Sequence, residues 1–212
     1  LKTEKLRLLM DAESVNFDDL KKILVSIKNL KIHVIGDTIV DTNHYCEVIG
    51  GLHKTPTLSI AKKNSVNFLG GAAIVASHFK SFSKNVTLTT LISNDQVGKF
   101  AKKKLKEKKI NLNCYYEENR PTTNKSSYLV NNHKLLKVDE LNNTSISDQT
   151  LEKIVKSLKK NKYDIFVFSD FRHGILNNLT INKLLKSIPN NSFKVADSQV
   201  ASRWGNISDF KN

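Results

Sequence analysis

Apolar residues recur along the chain in two alternating periods, and that alternation sets the expected architecture. Phe17, Leu20, Ile23, Leu24 and Ile27 follow Asn16, Asp18 and Asp19 at helical spacing. This predicts a helix with an N-cap and acids in its first turn, ending near Asn29. Residues 1–15 read as a connector. Lys31–Ile35 predicts a buried strand, and Gly70 and Gly71 precede a helical stretch, AAIVASHFKSF. Val86–Ile92 reads as a strand and Val97–Lys108 as a helix. Ser147–Lys160 is helical, with Leu151, Ile154, Val155 and Leu158 on one face and Asp148 in the first turn. Asp164–Phe168 is a short buried strand, Ile181–Ile188 a helix and Phe193–Ala196 a strand. Such alternation predicts an α/β fold with a mainly parallel sheet and helices on its faces.

Two segments break the rhythm. Residues 43–68 have no helical period, and residues 124–138 read as a hairpin turning at Asn131-Asn132. Together they predict a small extra sheet beside the main one.

The chain of 212 residues carries 34 Lys and Arg against 20 Asp and Glu, a net charge of +14. Such a balance can draw in nucleic acid or anionic metabolites. The lysines are spread along the chain, however, and the densest run, residues 102–109, alternates with apolar positions as a solvated helix face does. Nucleic-acid binding is therefore the less favoured class. No apolar run reaches the roughly 18 residues of a membrane span. The two cysteines, Cys46 and Cys114, are far apart, which fits a reducing, cytoplasmic compartment and gives no metal spacing. The six histidines are scattered, so no zinc site is expected. The chain begins at Leu1, its only methionine is Met10, and it stops at ISDFKN without a closing element. A fragment at both ends is the expectation.

The chemistry concentrates where strands are predicted to finish. VIGDTIVD places Asp37 and Asp41 behind Gly36. In open α/β sheets ligands sit beyond the carboxyl ends of the strands, and a carboxylate can accept from several hydroxyls of a sugar. Gly70-Gly71 permits a tight turn ahead of a helix whose first N–H groups point forward. Arg120 and Lys125 flank two threonines, and Asp170 and Asp197 end two further strands. Acids at three strand ends suggest one polar rim.

In order, VIGDTIVD, GGAAIVA, RPTTNK, LLKVD, FSDFRHG and VADS resemble the PfkB/ribokinase-like carbohydrate kinases, and among them the heptose-phosphate kinase branch found in bifunctional ADP-heptose synthesis proteins. The resemblance runs over about residues 31–210. It implies a ribokinase-like doubly wound α/β domain with a small β lid at about 43–68 and 124–138, truncated on its C-terminal side. Residues 1–30 would then be a connector and helix from an upstream domain, such as a fused nucleotidyltransferase. The resemblance implies that Asp41, with Asp37 beside it, holds the sugar, that Gly70 and Gly71 line its pocket, and that Arg120, Thr123, Lys125 and Asp170 complete the substrate site. ATP and Mg2+ are the implied cofactors, held mostly beyond this chain, with Asp197 the candidate contact within it. No metal ligand is expected in this span.

This sequence departs from the family pattern in two places. Ile74 stands where an asparagine usually follows the double glycine, and Arg172-His173 where a small residue and a lysine are usual. The family's Asn-x-x-Glu and Gly-Ala-Gly-Asp motifs, the latter carrying the anion hole and the catalytic base, do not occur after Asp197. No catalytic residue is therefore expected here, and the chain by itself should be inactive. A binding module of the same fold without phosphoryl transfer is the alternative. A homodimer through free lid edges is expected on general grounds.

Overall fold

The structure, a computed structural model, describes residues 2–51, 57–198 and 210; the expectations for lid residues 52–56 and for the end of the chain fall outside them. α1 (Lys2–Ala12) occupies what the pattern gives as connector. It is built from good helix formers without a clear apolar stripe, so periodicity does not reveal it. α2 (Phe17–Ile27) starts at Asn16, whose side chain accepts from the Asp19 N–H while Asp19 accepts from the Asn16 N–H. The remaining elements are β1 (Lys31–Gly36), β2 (Thr38–Gly51), β3 (Leu58–Gly70), α3 (Gly71–Phe82), β4 (Asn85–Leu91), α4 (Gln96–Glu107), β5 (Asn111–Tyr115), β6 (Asn124–Val130), β7 (His133–Glu140), α5 (Asp148–Lys160), β8 (Ile165–Asp170), α6 (Asn178–Lys186) and β9 (Phe193–Ser198).

Five strands in the order β5-β4-β1-β8-β9 form one wholly parallel sheet. Side-chain alternation sends Ile32, Val34, Val86, Leu88 and Val167 to one face, where they meet Ala72, Ala73 and Ala76 of α3 and Ala101 and Leu105 of α4. Ile35, Phe166 and Phe168 go to the other, against Leu151, Ile154 and Leu158 of α5 and Ile181 and Leu184 of α6. The sheet is thus doubly wound. The chain steps outward from β1 through β4 to β5, then returns to the far side of β1 for β8 and β9. The order reverses between β1 and β8, and it is beyond such switch points that open sheets hold ligands.

The lid is a second sheet in the order β3-β2-β6-β7. Its first two strands are longer than 43–68: they run from Thr38 to Gly51 and from Leu58 to Gly70. Asp41 therefore belongs to the lid and not to the end of the first strand. VIGDTIVD is two strands joined by one residue, Asp37, at which the chain leaves the buried sheet. The β6–β7 hairpin turns at Asn131 and Asn132, with φ of 47° and 66°. Positive φ at both central residues marks a type I′ hairpin turn.

His33 lies at the centre of β1 with no exposed surface. Its Nε2 is 2.7 Å from the Thr89 hydroxyl, and its ring packs on Tyr163 and Phe166. Burial pushes it down to about 3, far below the ordinary 6.5. Between those values the unfolded chain binds the proton and the folded one does not, so stability falls as pH drops through this window. Replacing His33 by Leu should flatten that acid slope, measured as urea midpoints at neutral pH and at about pH 5.

Candidate functional site

Asp37 sits at the switch point, 3% exposed. Its Oδ2 accepts from the backbone N–H of Phe171 (3.2 Å) and His173 (3.0 Å), and its Oδ1 from Ile175 (3.3 Å). Between these donors the loop after β8 places Arg172 at φ 65° and Gly174 at φ 103°. The alternation turns N–H groups inward into a concave anion nest, and this chain fills the nest with its own carboxylate. Burial raises Asp37 to about 6, against the pull of the three N–H donors. The Asp37 backbone oxygen accepts from Ala72 at the start of α3, so one residue ties β1, β8 and α3 together.

Arg120 is equally committed. It is 8% exposed. Nε donates to Glu117 at 3.1 Å, Nη1 to the backbone oxygens of Asn142 and His173, and Nη2 to those of Thr144 and Ser145. Neither a free phosphate-binding cation nor a surface charge describes it: it fastens three loops to one another. Asp170, 1% exposed, accepts from the Ser198 hydroxyl at 2.7 Å and from the Arg172 N–H at 2.9 Å. Thr123 is buried and its carbonyl accepts from the Val40 N–H. Asp197 is exposed at the end of the edge strand β9, paired with Ser169. Asp37, Asp170 and Asp197 do stand at the ends of β1, β8 and β9, but Asp37, Asp170 and Arg120 are bonded within the fold, which the sequence pattern left unseen.

Asp41 and Lys125 differ in this respect. Asp41 is exposed, Lys125 half-buried, and neither side chain makes a hydrogen bond or ion pair among the described residues. They are register partners on the parallel strands β2 and β6. The rung continues to Phe68 on β3 and to Asp139 on β7, so Phe68, Asp41, Lys125 and Asp139 lie side by side. Phe68 and Asp139 were not foreseen, because the β2–β6 pairing joins segments far apart in sequence and leaves no local signal.

The double glycine meets this rung. A Cβ at Gly70 would lie 2.4 Å from Oδ2 of Asp41, so the missing side chain is what lets the carboxylate lie over the start of α3. Gly71 has φ 55°, and a Cβ there would strike the Asp37 carbonyl at 2.2 Å. Gly70 thus meets the Asp41 carboxylate and Gly71 the Asp37 backbone, while the Asp37 carboxylate is turned to the loop after β8. His173 joins rung to rim. The charges of Lys125, Asp139, Asp170 and Arg172 all bear on its ring, which lines a narrow cleft with Thr38, Pro121 and Thr123. Ile74 stays within α3, half-buried.

A profile of the pfkB family of carbohydrate kinases matches residues 29–211. The chain belongs to that family. The bifunctional protein HldE of Sulfurimonas denitrificans is 30% identical over 172 residues, covering 78% of this chain and 35% of its own length. That of Aliarcobacter butzleri is 30% identical over 175 residues, covering 79% and 36%. Phosphofructokinase-2 from Escherichia coli, solved with fructose-6-phosphate, superposes with a TM-score of 0.60 at 11% identity over 82% of this chain and 56% of its own. That likeness shows the pfkB fold. The chain spans about a third of the length of the curated pfkB relatives it matches.

Proposed function

We propose that this chain forms the acceptor-binding part of an ATP-dependent carbohydrate kinase, acting on a sugar or sugar phosphate of the heptose-phosphate type. The observation that carries the reading is the pair of unengaged groups, Asp41 and Lys125, on neighbouring strands at the mouth of a pfkB-family fold, where Asp37, Arg120 and Asp170 are spent on the structure. Asp41 can accept from two hydroxyls of a polyol at once. The N–H end of α3 and the small Gly70 leave room for the sugar to approach. Lys125, a mobile point charge, suits a phosphate carried by the acceptor.

Kinases of this kind gain rate from alignment and charge stabilisation more than from covalent chemistry. Asp41 would fix which hydroxyl faces the nucleotide, and the lid would exclude water. ATP with Mg2+ supplies the phosphoryl group in such enzymes. Among the described residues no group of three or more His, Cys, Asp or Glu side chains is placed to hold an ion, and Mg2+ is commonly held by one or two carboxylates together with the phosphates. Asp170 is already bonded to Ser198 and Arg172. Asp197, exposed on the rim, is the residue of this chain proposed to face the nucleotide. Among the described residues no helix is long and apolar enough to cross a membrane, and we place the protein in the cytoplasm, with pairing of two copies through the lid edges and a nucleotidyltransferase unit upstream as further expectations.

The test uses the full-length protein and a panel of heptose phosphate, heptose, fructose 6-phosphate and fructose, following ADP release. Turnover of at least one member is expected. Lys125→Ala should raise KM for the phosphorylated members about tenfold, and for the neutral ones much less. Equal effects on both would remove Lys125 from the phosphate. Binding without ADP release for every member would replace the kinase with a binding module.

A further inference from the structure

We propose that His173 is a specificity-determining residue: its Nε2 accepts a hydrogen bond from a hydroxyl of the acceptor, so that this side of the mouth admits the polyol and turns a phosphate away. The proposal rests on the carbohydrate-kinase reading above and names a group that the reading itself does not need.

His173 is held on every side but one. Its N–H is gripped by Asp37 at 3.0 Å and its carbonyl by Arg120 at 3.0 Å. Its Nδ1 lies 2.7 Å from Oδ1 of Asn143. The residue is 9% exposed, and its Nε2 is buried without a protein partner among the described residues. A side chain this firmly placed, with one polar atom left over in a residue that lines a cleft with Thr38 and Thr123, is pre-organised to receive something.

The chemistry of that atom follows from its neighbours. Burial, then the positive charge of Lys125 and, more weakly, Arg172, push the imidazole down to about 4, while Asp139 and Asp170 pull the other way. The ring is therefore neutral near pH 7 and carries a single N–H. A carbonyl oxygen such as Oδ1 of Asn143 only accepts, so the proton resides on Nδ1 and Nε2 presents a bare lone pair. A lone pair takes a hydrogen bond from an O–H. It repels a phosphate dianion, which has acceptors and no proton to give. A site built around a buried acceptor discriminates strongly against ligands that lack the donor. Lys125, on β6, takes the opposite kind of group, so the two residues would orient a sugar phosphate with its hydroxyls toward the loop after β8 and its phosphate toward β6.

The experiment uses the full-length protein labelled with 15N-histidine, and the panel member it turns over fastest. On adding that sugar, the Nε2 resonance of His173 should move while Nδ1 stays in place. His173→Phe, which keeps a ring and removes the acceptor, should raise KM for the sugar tenfold or more and leave KM for ATP unchanged. His173→Gln, whose carbonyl oxygen can accept, should stay within about threefold. An unmoved Nε2 signal in a protein that does turn the sugar over would overturn this proposal and leave the kinase reading standing. So would wild-type KM in His173→Phe, or a rise in KM for ATP equal to that for the sugar. Failure of every panel member to bind or react would remove both.

Discussion

Replacing Asp37 by alanine should lower the unfolding free energy by about 3 kcal/mol or more, because it leaves two buried N–H donors and one half-buried one without an acceptor at roughly 1–3 kcal/mol each. Against a typical total of about 5–15 kcal/mol that is a large share. The donors belong to Phe171, His173 and Ile175, so the loss falls on the loop that also carries Arg172 and the His173 ring. Asn at this position keeps one accepting oxygen and turns an amino group toward the remaining donors, so an intermediate loss is expected. The pH dependence gives a signature. Folding raises the Asp37 carboxyl from 3.8 to about 6, so the folded state binds more protons than the unfolded one across that window. The contribution is complete below 3.8 and is lost as pH rises through about 6. The urea-midpoint deficit of Asp37→Ala should therefore narrow with rising pH over that range. An unchanged midpoint at every pH would show that the N–H groups find other partners and that the nest does not hold the loop.

Much of the fold was legible because local pattern and packing agree. Leu151, Ile154 and Leu158 lie on one stripe of α5 and all are buried. Asn131-Asn132 has the chemistry of a tight hairpin and forms one. Where the sequence misled, the deciding physics was non-local. Asp37 and Asp41 look alike in VIGDTIVD, yet one is buried where the chain leaves the main sheet and the other lies on the lid. What separates them is the loop after β8, more than a hundred residues away, whose N–H groups claim Asp37. Arg120 and Lys125 are five positions apart and both were expected in the substrate site. Arg120 is consumed by carbonyls of residues 142–145 and 173, a pattern no short motif encodes. β5, only Asn111–Tyr115, was missed because it is short, lies on the sheet edge and presents just Leu112 and Cys114 as an apolar face. The rung from Phe68 to Asp139 depends on the parallel pairing of β2 with β6, which sequence periodicity does not specify.

Asp41→Asn should leave stability alone and reduce turnover by about a hundredfold or more. The first half follows from exposure: the Asp41 side chain bonds to nothing among the described residues, so its replacement leaves no buried group unpaired. The second follows from its proposed task. An amide presents one acceptor where the carboxylate has two, and loses the charge that strengthens each hydroxyl bond. An acceptor hydroxyl tilted out of line by about 1 Å can by itself cost a hundredfold. Gly70→Ala offers an independent way to the same end. The glycine has φ −131°, which alanine adopts freely, so the backbone should not object. The added methyl would lie 2.4 Å from the Asp41 carboxylate and push it aside without changing its chemistry. Both variants should therefore unfold at the wild-type midpoint and share the loss of ADP release on the best panel sugar. If Asp41→Asn turned over normally, the rung on the lid would not be where the sugar is held. If Gly70→Ala alone were impaired, the glycine would matter for the start of α3 and not for the carboxylate lying over it.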